Sequence, residues 1–248
     1  MTDPALTLAL REMAPYRVGL TMRWRDLLFL HFACAPEEIR AHLPPGLTVD
    51  TFPDAEGVER AWVGLVPFRM EGVRPKGMPP FRPCEDFPET NVRTYCHVDG
   101  KDPGVWFFSL DASNPFACAF ARRFFSLNYR HARMSVERSD DQVRYRSRRV
   151  GRPFAENEAR CLVRDELGPA TPGTFEFFLV ERYLLYSAKG GKLYKGQVFH
   201  PPYQLREVKE FEVSGGLIEV NGLKQRMFSH AVFSDGLDVI GGRIARVE

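Results

Sequence analysis

The sequence predicts a β-rich α+β fold built on an antiparallel barrel or a pair of curved sheets. Three observations carry this. About ten to twelve segments read as strands, only two or three short ones read as helices, and the two kinds do not alternate regularly. A doubly wound parallel sheet needs that alternation and is set aside. Closed sheets of this size hold small ligands in their mouths or interiors.

Residues 1–20 read as a mixed, partly helical lead-in. Trp24 to Cys34, rich in Leu and Phe, is the first strand. Pro36 to Leu43 is a short helix, with proline early, Glu37 and Glu38 in the first turn and Pro44-Pro45-Gly46 as its stop. Leu47 to Phe52 is extended, and Arg60 to Met70 is a further strand in which Pro67 predicts an edge or a bulge. Residues 71–88 are proline-rich and aperiodic, which predicts a long loop, either a pocket rim or a rigid surface excursion.

From Glu89 the side chains alternate. Glu89, Asn91, Arg93, Tyr95 and His97 share one face, and Val92, Thr94 and Cys96 the other. Asp99-Gly100 marks a turn, after which Val105 to Leu110 returns as a hairpin partner ending at Asp111. Ser113 or Asn114 caps a helix that starts at Pro115, where a missing N–H costs nothing. Phe116, Phe120 and Phe124 give that helix an apolar stripe.

Ala132 to Arg138 and Gln142 to Arg149 are two more strands. In the second, Arg144, Arg146 and Arg148 alternate with Val143, Tyr145 and Ser147, the pattern of a solvated face or of a binding surface. Phe175, Phe178, Leu179 and Arg182 recur at helical spacing after Thr171-Pro-Gly-Thr174. Tyr183 to Ser187 and Leu193 to Phe199 flank the Lys189-Gly190-Gly191 turn. Three or four strands, broken by glycine pairs and Asn221-Gly222, complete residues 205–247.

Nothing in the 248 residues marks a linker, so residues 1–248 read as one domain able to bury its own core. The net charge of +2 gives a nucleic-acid role no help from the global field. Cys34, Cys84, Cys96, Cys118 and Cys161 stand singly, which argues against a disulfide framework and a structural zinc. The longest apolar run, Leu27 to Ala35, is too short to span a bilayer, and the N-terminus is a poor signal peptide. A cytoplasmic protein with reduced thiols, no membrane segment, no metal and no cofactor is expected.

Twenty Phe, eight Tyr and three Trp predict a core or cavity lined by rings. Within it, the polar face of 89–97 is expensive to bury unless its groups pair with one another or meet a ligand. Glu89, Arg93, Asp111 and Arg122 can satisfy one another. Equally, with Asn91 and Tyr95 they can build a site for an anionic or carbonyl compound, since a guanidinium fork donates two parallel bonds to a carboxylate. Tyr129 and His200 are further proton-transfer candidates. No G-x-S-x-G, Walker-type loop, His-Glu-x-x-His or metal-ligand cluster occurs.

Several blocks also resemble a known family. Trp24…Phe29…His31, Leu43-Pro-Pro-Gly-Leu47 with Asp50, Trp62-Val-Gly-Leu-Val-Pro-Phe68, Glu89-Thr-Asn-Val-Arg-Thr-Tyr95, Gly104-Val-Trp-Phe-Phe-Ser-Leu-Asp111, Ala121-Arg122 and Glu181-Arg-Tyr-Leu-Leu-Tyr186 look, in that order, like the DUF2071 (YqjF-like) family. That family is similar in turn to the acetoacetate decarboxylase-like superfamily. The resemblance implies a cone-shaped antiparallel β-barrel with an internal pocket, and makes a homo-oligomer an expectation.

In the decarboxylase, a glutamate lies on a pocket strand, and a Gly-Arg-Glu helix end leads to Gly-Phe-Pro-Lys-Lys, whose first lysine forms a Schiff base. Laying that motif on Ala121 to Arg130 puts Glu89 near the glutamate, Arg122 on the arginine and Tyr129 where the lysine should stand. Tyrosine cannot form an imine with a ketone. The expectation is therefore a barrel that binds an unidentified small molecule, with Glu89, Asn91, Arg93, Tyr95, Asp111, Arg122, Tyr129 and His200 as candidate residues. A lysine-independent lyase, hydratase or isomerase using Glu89 and Tyr129 is one alternative. An interaction module on the Arg144, Arg146 and Arg148 face is another.

Overall fold

The computed structural model describes residues 1–12, 18–79, 86–242 and 244–247. Helix α1 (Pro4–Glu12) precedes strand β1 (Val18–Cys34), and α2 (Pro36–Arg40) leads to the short β2 (Thr48–Val49) and β3 (Phe52–Pro53). Then come β4 (Glu59–Pro75), β5 (Phe87–Val98), β6 (Lys101–Ala112), α3 (Pro115–Phe124), β7 (Tyr129–Ser139), β8 (Gln142–Arg149) and β9 (Glu156–Gly168). Helix α4 (Phe175–Val180), β10 (Leu184–Lys189), β11 (Lys192–Phe199), β12 (Leu205–Gly215), β13 (His230–Gly242) and β14 (Ala245–Arg246) complete the chain. Among the described residues, no helix is long and apolar enough to cross a membrane.

Mainly antiparallel strand pairing is as the sequence predicts, but it closes into two rings rather than one. Five strands, in the order β13-β1-β4-β5-β6, form a central sheet. Strands β7, β8, β9 and β12 bridge its edges on one side, and β10 with β11 bridge them on the other. The central sheet thus has a compartment on each face. Phe29, Val66, Phe68, Tyr95 and Leu110 pack with α4 on the face toward β10 and β11. Leu28, Leu30, Leu65, Val92 and Phe108 pack with β8 and β9 on the other. Buried on both faces, the second half of β1 (Leu27–Cys34) and the centre of β4 (Ala61–Phe68) read as nearly continuous apolar runs.

Two strand irregularities aim the side chains. Asp26 takes a positive φ of 50°, and between Arg25 and Leu30 β1 carries one residue more than β4, in the stretch where β4 holds Pro67. Arg69 and Arg138 clamp the Asp26 carboxylate at 2.7 and 2.6 Å. Phe108 bulges out of β6, because Val92 pairs with Ser109 while Arg93 pairs with Phe107. That shift reverses the facing of everything after it in β6.

Several expectations are corrected. Strand β4 runs on through Pro75, so the aperiodic stretch is shorter than 71–88; its residues 80–85, Cys84 included, lie outside the described residues. Strand β9 carries no clear alternation in its charged second half and was not anticipated. On α3, Asn114 caps the helix and Pro115 leads it, but Phe116, Phe120 and Phe124 are exposed. Cys118 and Ala121 face the core instead, with the Cys118 thiol donating to the Ala112 carbonyl of β6 at 3.7 Å. The four described cysteines are unpaired, buried thiols.

Candidate functional site

Strand β5 lies between β4 and β6 and sends Glu89, Asn91, Arg93 and Tyr95 into the compartment under α4, all four buried. His97, next in the alternation, instead turns at the hairpin and accepts from the Gly100 N–H at 2.9 Å. Opposite Arg93 on β4 stands Gly64, where a Cβ would meet the His31 ring at 3.2 Å and Arg93 Cγ at 3.3 Å. This glycine leaves room for two large polar side chains to converge.

Arg93 is the central group. One Nη donates to the Leu179 carbonyl at 3.0 Å, an orphan at the C-terminal end of α4. Its guanidinium stacks on Phe29 at 5.4 Å and on Tyr95 at 5.7 Å. Among the described residues no carboxylate pairs with it, and its Nε has no partner. The Tyr95 hydroxyl donates to the same Leu179 carbonyl at 2.8 Å and meets His31 Nε2 at 2.8 Å. His31 Nδ1 lies 3.3 Å from His230 Nδ1. Burial, then His230 and Arg93, hold the His31 pKa well below its usual range, so this imidazole is neutral.

Further along the same face, the Tyr129 hydroxyl donates to Glu89 Oε2 at 2.8 Å. Burial pushes the Glu89 carboxyl up to about 8, with Asp111 adding to the rise and the Tyr129 hydrogen bond opposing it. His200 is stacked on Tyr183 at 4.6 Å and its Nδ1 donates to the Pro201 carbonyl at 2.9 Å. Its Nε2 is buried without a partner, and burial brings its pKa down to about 4. Asn91 Oδ1 and Trp24 Nε1 are likewise unpartnered.

Helix α4 closes this compartment and is pinned at its C-terminal end. Arg182 donates to the Phe178 carbonyl at 2.8 Å and to Asp50 at 2.9 Å, while Asp50 also accepts from the N–H and hydroxyl of Thr2. Glu181 accepts from the Tyr183 hydroxyl and the Tyr203 N–H. Asp50, Glu181, Arg182 and Tyr183, which stand in two of the family-like blocks, thus hold the end of α4 in place.

Glu89, Asn91, Arg93, Tyr95, Tyr129 and His200 therefore face one compartment. Asp111 does not. The Phe108 bulge turns it to the opposite face, where Arg149 grips both its oxygens at 2.7 Å and also donates to Ser109 at 2.7 Å. Arg122 is exposed on α3 and donates to the Tyr129 carbonyl at 3.1 Å, so it braces the chain behind the phenol. The mutual pairing of Glu89, Arg93, Asp111 and Arg122 does not occur. Sequence reasoning gave little weight to His31 and missed Trp24 as a polar group. The signal for His31 was Gly64, a glycine inside an apolar strand.

The Arg144, Arg146 and Arg148 face is charge-matched. Arg144 pairs with Glu158 at 2.6 Å, Arg146 with Glu137 at 2.8 Å, and Arg148 with Glu156 at 3.0 Å. Among the described residues no group of three or more His, Cys, Asp or Glu is placed to hold a metal ion.

Residues 21–238 match the family model DUF2071, described as an uncharacterized conserved protein. The chain is 35% identical over 191 residues to the uncharacterized protein YqjF of Bacillus subtilis (strain 168), covering 77% of this chain and 76% of that one. An acetoacetate decarboxylase-like enzyme from Sphingomonas wittichii RW1 superposes with a TM-score of 0.64 at 13% identity, over 93% of each chain. The enduracididine biosynthesis enzyme MppR, complexed with pyruvate, superposes with a TM-score of 0.62 at 11% identity, over 96% of this chain and 92% of that one. At such identities these likenesses establish the fold.

Proposed function

Since this chain belongs to the DUF2071 family and has the acetoacetate decarboxylase-like fold, we propose that it binds a small acidic or carbonyl compound in the compartment under α4. The carrying observation is Arg93, a buried guanidinium with no carboxylate partner among the described residues and an unsatisfied Nε. A buried unpaired cation is costly, and each orphaned polar atom costs about 1–3 kcal/mol. A carboxylate seated on the Arg93 fork removes both penalties at once. Asn91 Oδ1, His200 Nε2 and Trp24 Nε1 offer two acceptors and a donor for the rest of the ligand. That a protein of the same fold is complexed with pyruvate supports a 2-oxo acid as the first class to try.

A second reading adds acid–base chemistry on the bound compound. Glu89 favours it, since a carboxyl near 8 can both give and accept a proton around neutrality. Amine chemistry has less support, because none of the seven lysines is buried. A role in binding nucleic acid is similarly weakened by the glutamate partners of Arg144, Arg146 and Arg148.

Calorimetric titration with pyruvate and a series of small carboxylates tests the proposal. The expected result is saturable binding by the native chain that is lost in Arg93→Met. Binding of equal strength in the variant, or none in the native chain across the series, overturns it.

A further inference from the structure

The wall of the compartment under α4 has a seam. Along β6, Gly104 to Trp106 pair with β10 and Leu110 to Ala112 pair with β7, both parallel. Phe107, Phe108 and Ser109 have neither neighbour on that side. Parallel strands leaving in different directions cannot both stay in register with one partner, and the bulge at Phe108 widens the divergence. The side chain of Asn128 spans part of the break by donating to the Phe108 carbonyl at 2.5 Å.

A cavity of about 330 Å³ lies in this seam, lined among others by Trp106, Phe107, Phe108, Leu127, Asn128 and Ser187. Its walls come from both faces of the central sheet. Phe107 and Leu127 pack against the cluster under α4, and both are only half-buried. Phe108 belongs to the opposite cluster. Ser187 follows Tyr186, the last β10 residue paired with β6, and is buried with an unpartnered hydroxyl.

Phe107 is also the direct cross-strand partner of Arg93, and opposed residues of an antiparallel pair share a face. The phenyl ring that half-closes the seam is thus the inner neighbour of the guanidinium. We propose that the seam is the mouth of the site. Phe107 is its gate, and Leu127 with Ser187 forms the rim that sets the size of molecule admitted. Rotation of one phenyl side chain opens the path, whereas a path under α4 requires breaking the Arg182–Asp50 and Arg93–Leu179 contacts. The aromatic rim and the absence of a carboxylate among the cavity's lining residues suit a compact anion. This rests on the proposed binding site, but access to the compartment can be measured without a ligand.

The test introduces a thiol by Asn91→Cys and follows its modification by a small anionic methanethiosulfonate, read at that position by peptide mass spectrometry. Phe107→Ala is expected to raise the rate several-fold, and Leu127→Trp to lower it by a similar factor. Leu127→Trp adds bulk at a half-buried position, so it answers the question even if Phe107→Ala is too unstable to study. Unchanged rates in the variants overturn the seam as the mouth. Pyruvate binding kinetics supply the second arm. Association and dissociation rates are expected to shift together at constant affinity in the same variants, and rates that stay fixed while the native chain binds also overturn it. A native chain that binds no pyruvate while the labelling rates respond refutes the ligand class and leaves the seam standing.

Discussion

The Tyr129 hydroxyl donates to Glu89 Oε2 at 2.8 Å, in a setting where the carboxyl has no ion-pair partner among the described residues. The pair joins the start of β7 to β5 and replaces a charge interaction with a neutral hydrogen bond. A carboxyl buried this way stays protonated over most of the physiological range. Tyr129, with its own pKa raised well above normal by burial and by Glu89, remains the donor.

The first prediction concerns pH. In the folded chain Glu89 titrates near 8, against an ordinary 4.5. Below about pH 4.5 the carboxyl is neutral in both states and leaves stability untouched. As pH rises, the unfolded chain ionises first, so stability falls until about pH 8 and then levels off. Glu89→Gln removes that slope. It is expected to gain on the native chain between pH 4.5 and 8, by roughly 5 kcal/mol at most. Urea midpoints at pH 5 and pH 8 measure this, and parallel pH profiles for the two proteins refute it.

A second prediction separates Asp111 from the proposed site. Arg149→Met leaves a carboxylate unpaired in the compartment behind the central sheet and should cost about 3–5 kcal/mol. Combining it with Asp111→Leu should recover most of that loss, because the charge and its partner disappear together. A double-mutant cycle by urea unfolding decides, and pyruvate affinity in the double variant should stay at the native value. A double variant as unstable as the single one contradicts this account.

A third prediction concerns Gly64. Its replacement by alanine places a methyl group 3.2 Å from the His31 ring and 3.3 Å from Arg93 Cγ. One of those side chains must shift, at a cost of about 1–3 kcal/mol. Gly64→Ala should therefore unfold at lower urea concentration and also weaken pyruvate binding, since Arg93 is displaced. Loss of stability with unaltered affinity would show that His31 alone gives way.

The strand that carries the candidate site was legible because its polar residues sit two apart in an otherwise apolar sheet, and a strand's side-chain period is two. The hairpin at Asp99-Gly100 and a cap at Ser113 or Asn114, which falls on Asn114, were legible for similarly local reasons. The Phe116, Phe120 and Phe124 stripe misled, because helical periodicity reports a face without reporting which way it points. Here the sheet accepts Cys118 and Ala121, and the rings are left outside.

By itself the sequence determined the β-rich class, the order of most strands and the polar face of Glu89 to Tyr95, since each follows from local periodicity, turn chemistry and capping. Only the tertiary structure decided that the sheet closes twice, that Asp111 turns away to Arg149 and that Arg93 is left without a carboxylate among the described residues. The physical reason is register. One extra residue at Phe108 inverts the facing of all that follows it, and that insertion is fixed by pairing with β5, at long range, rather than by the identity of the phenylalanine.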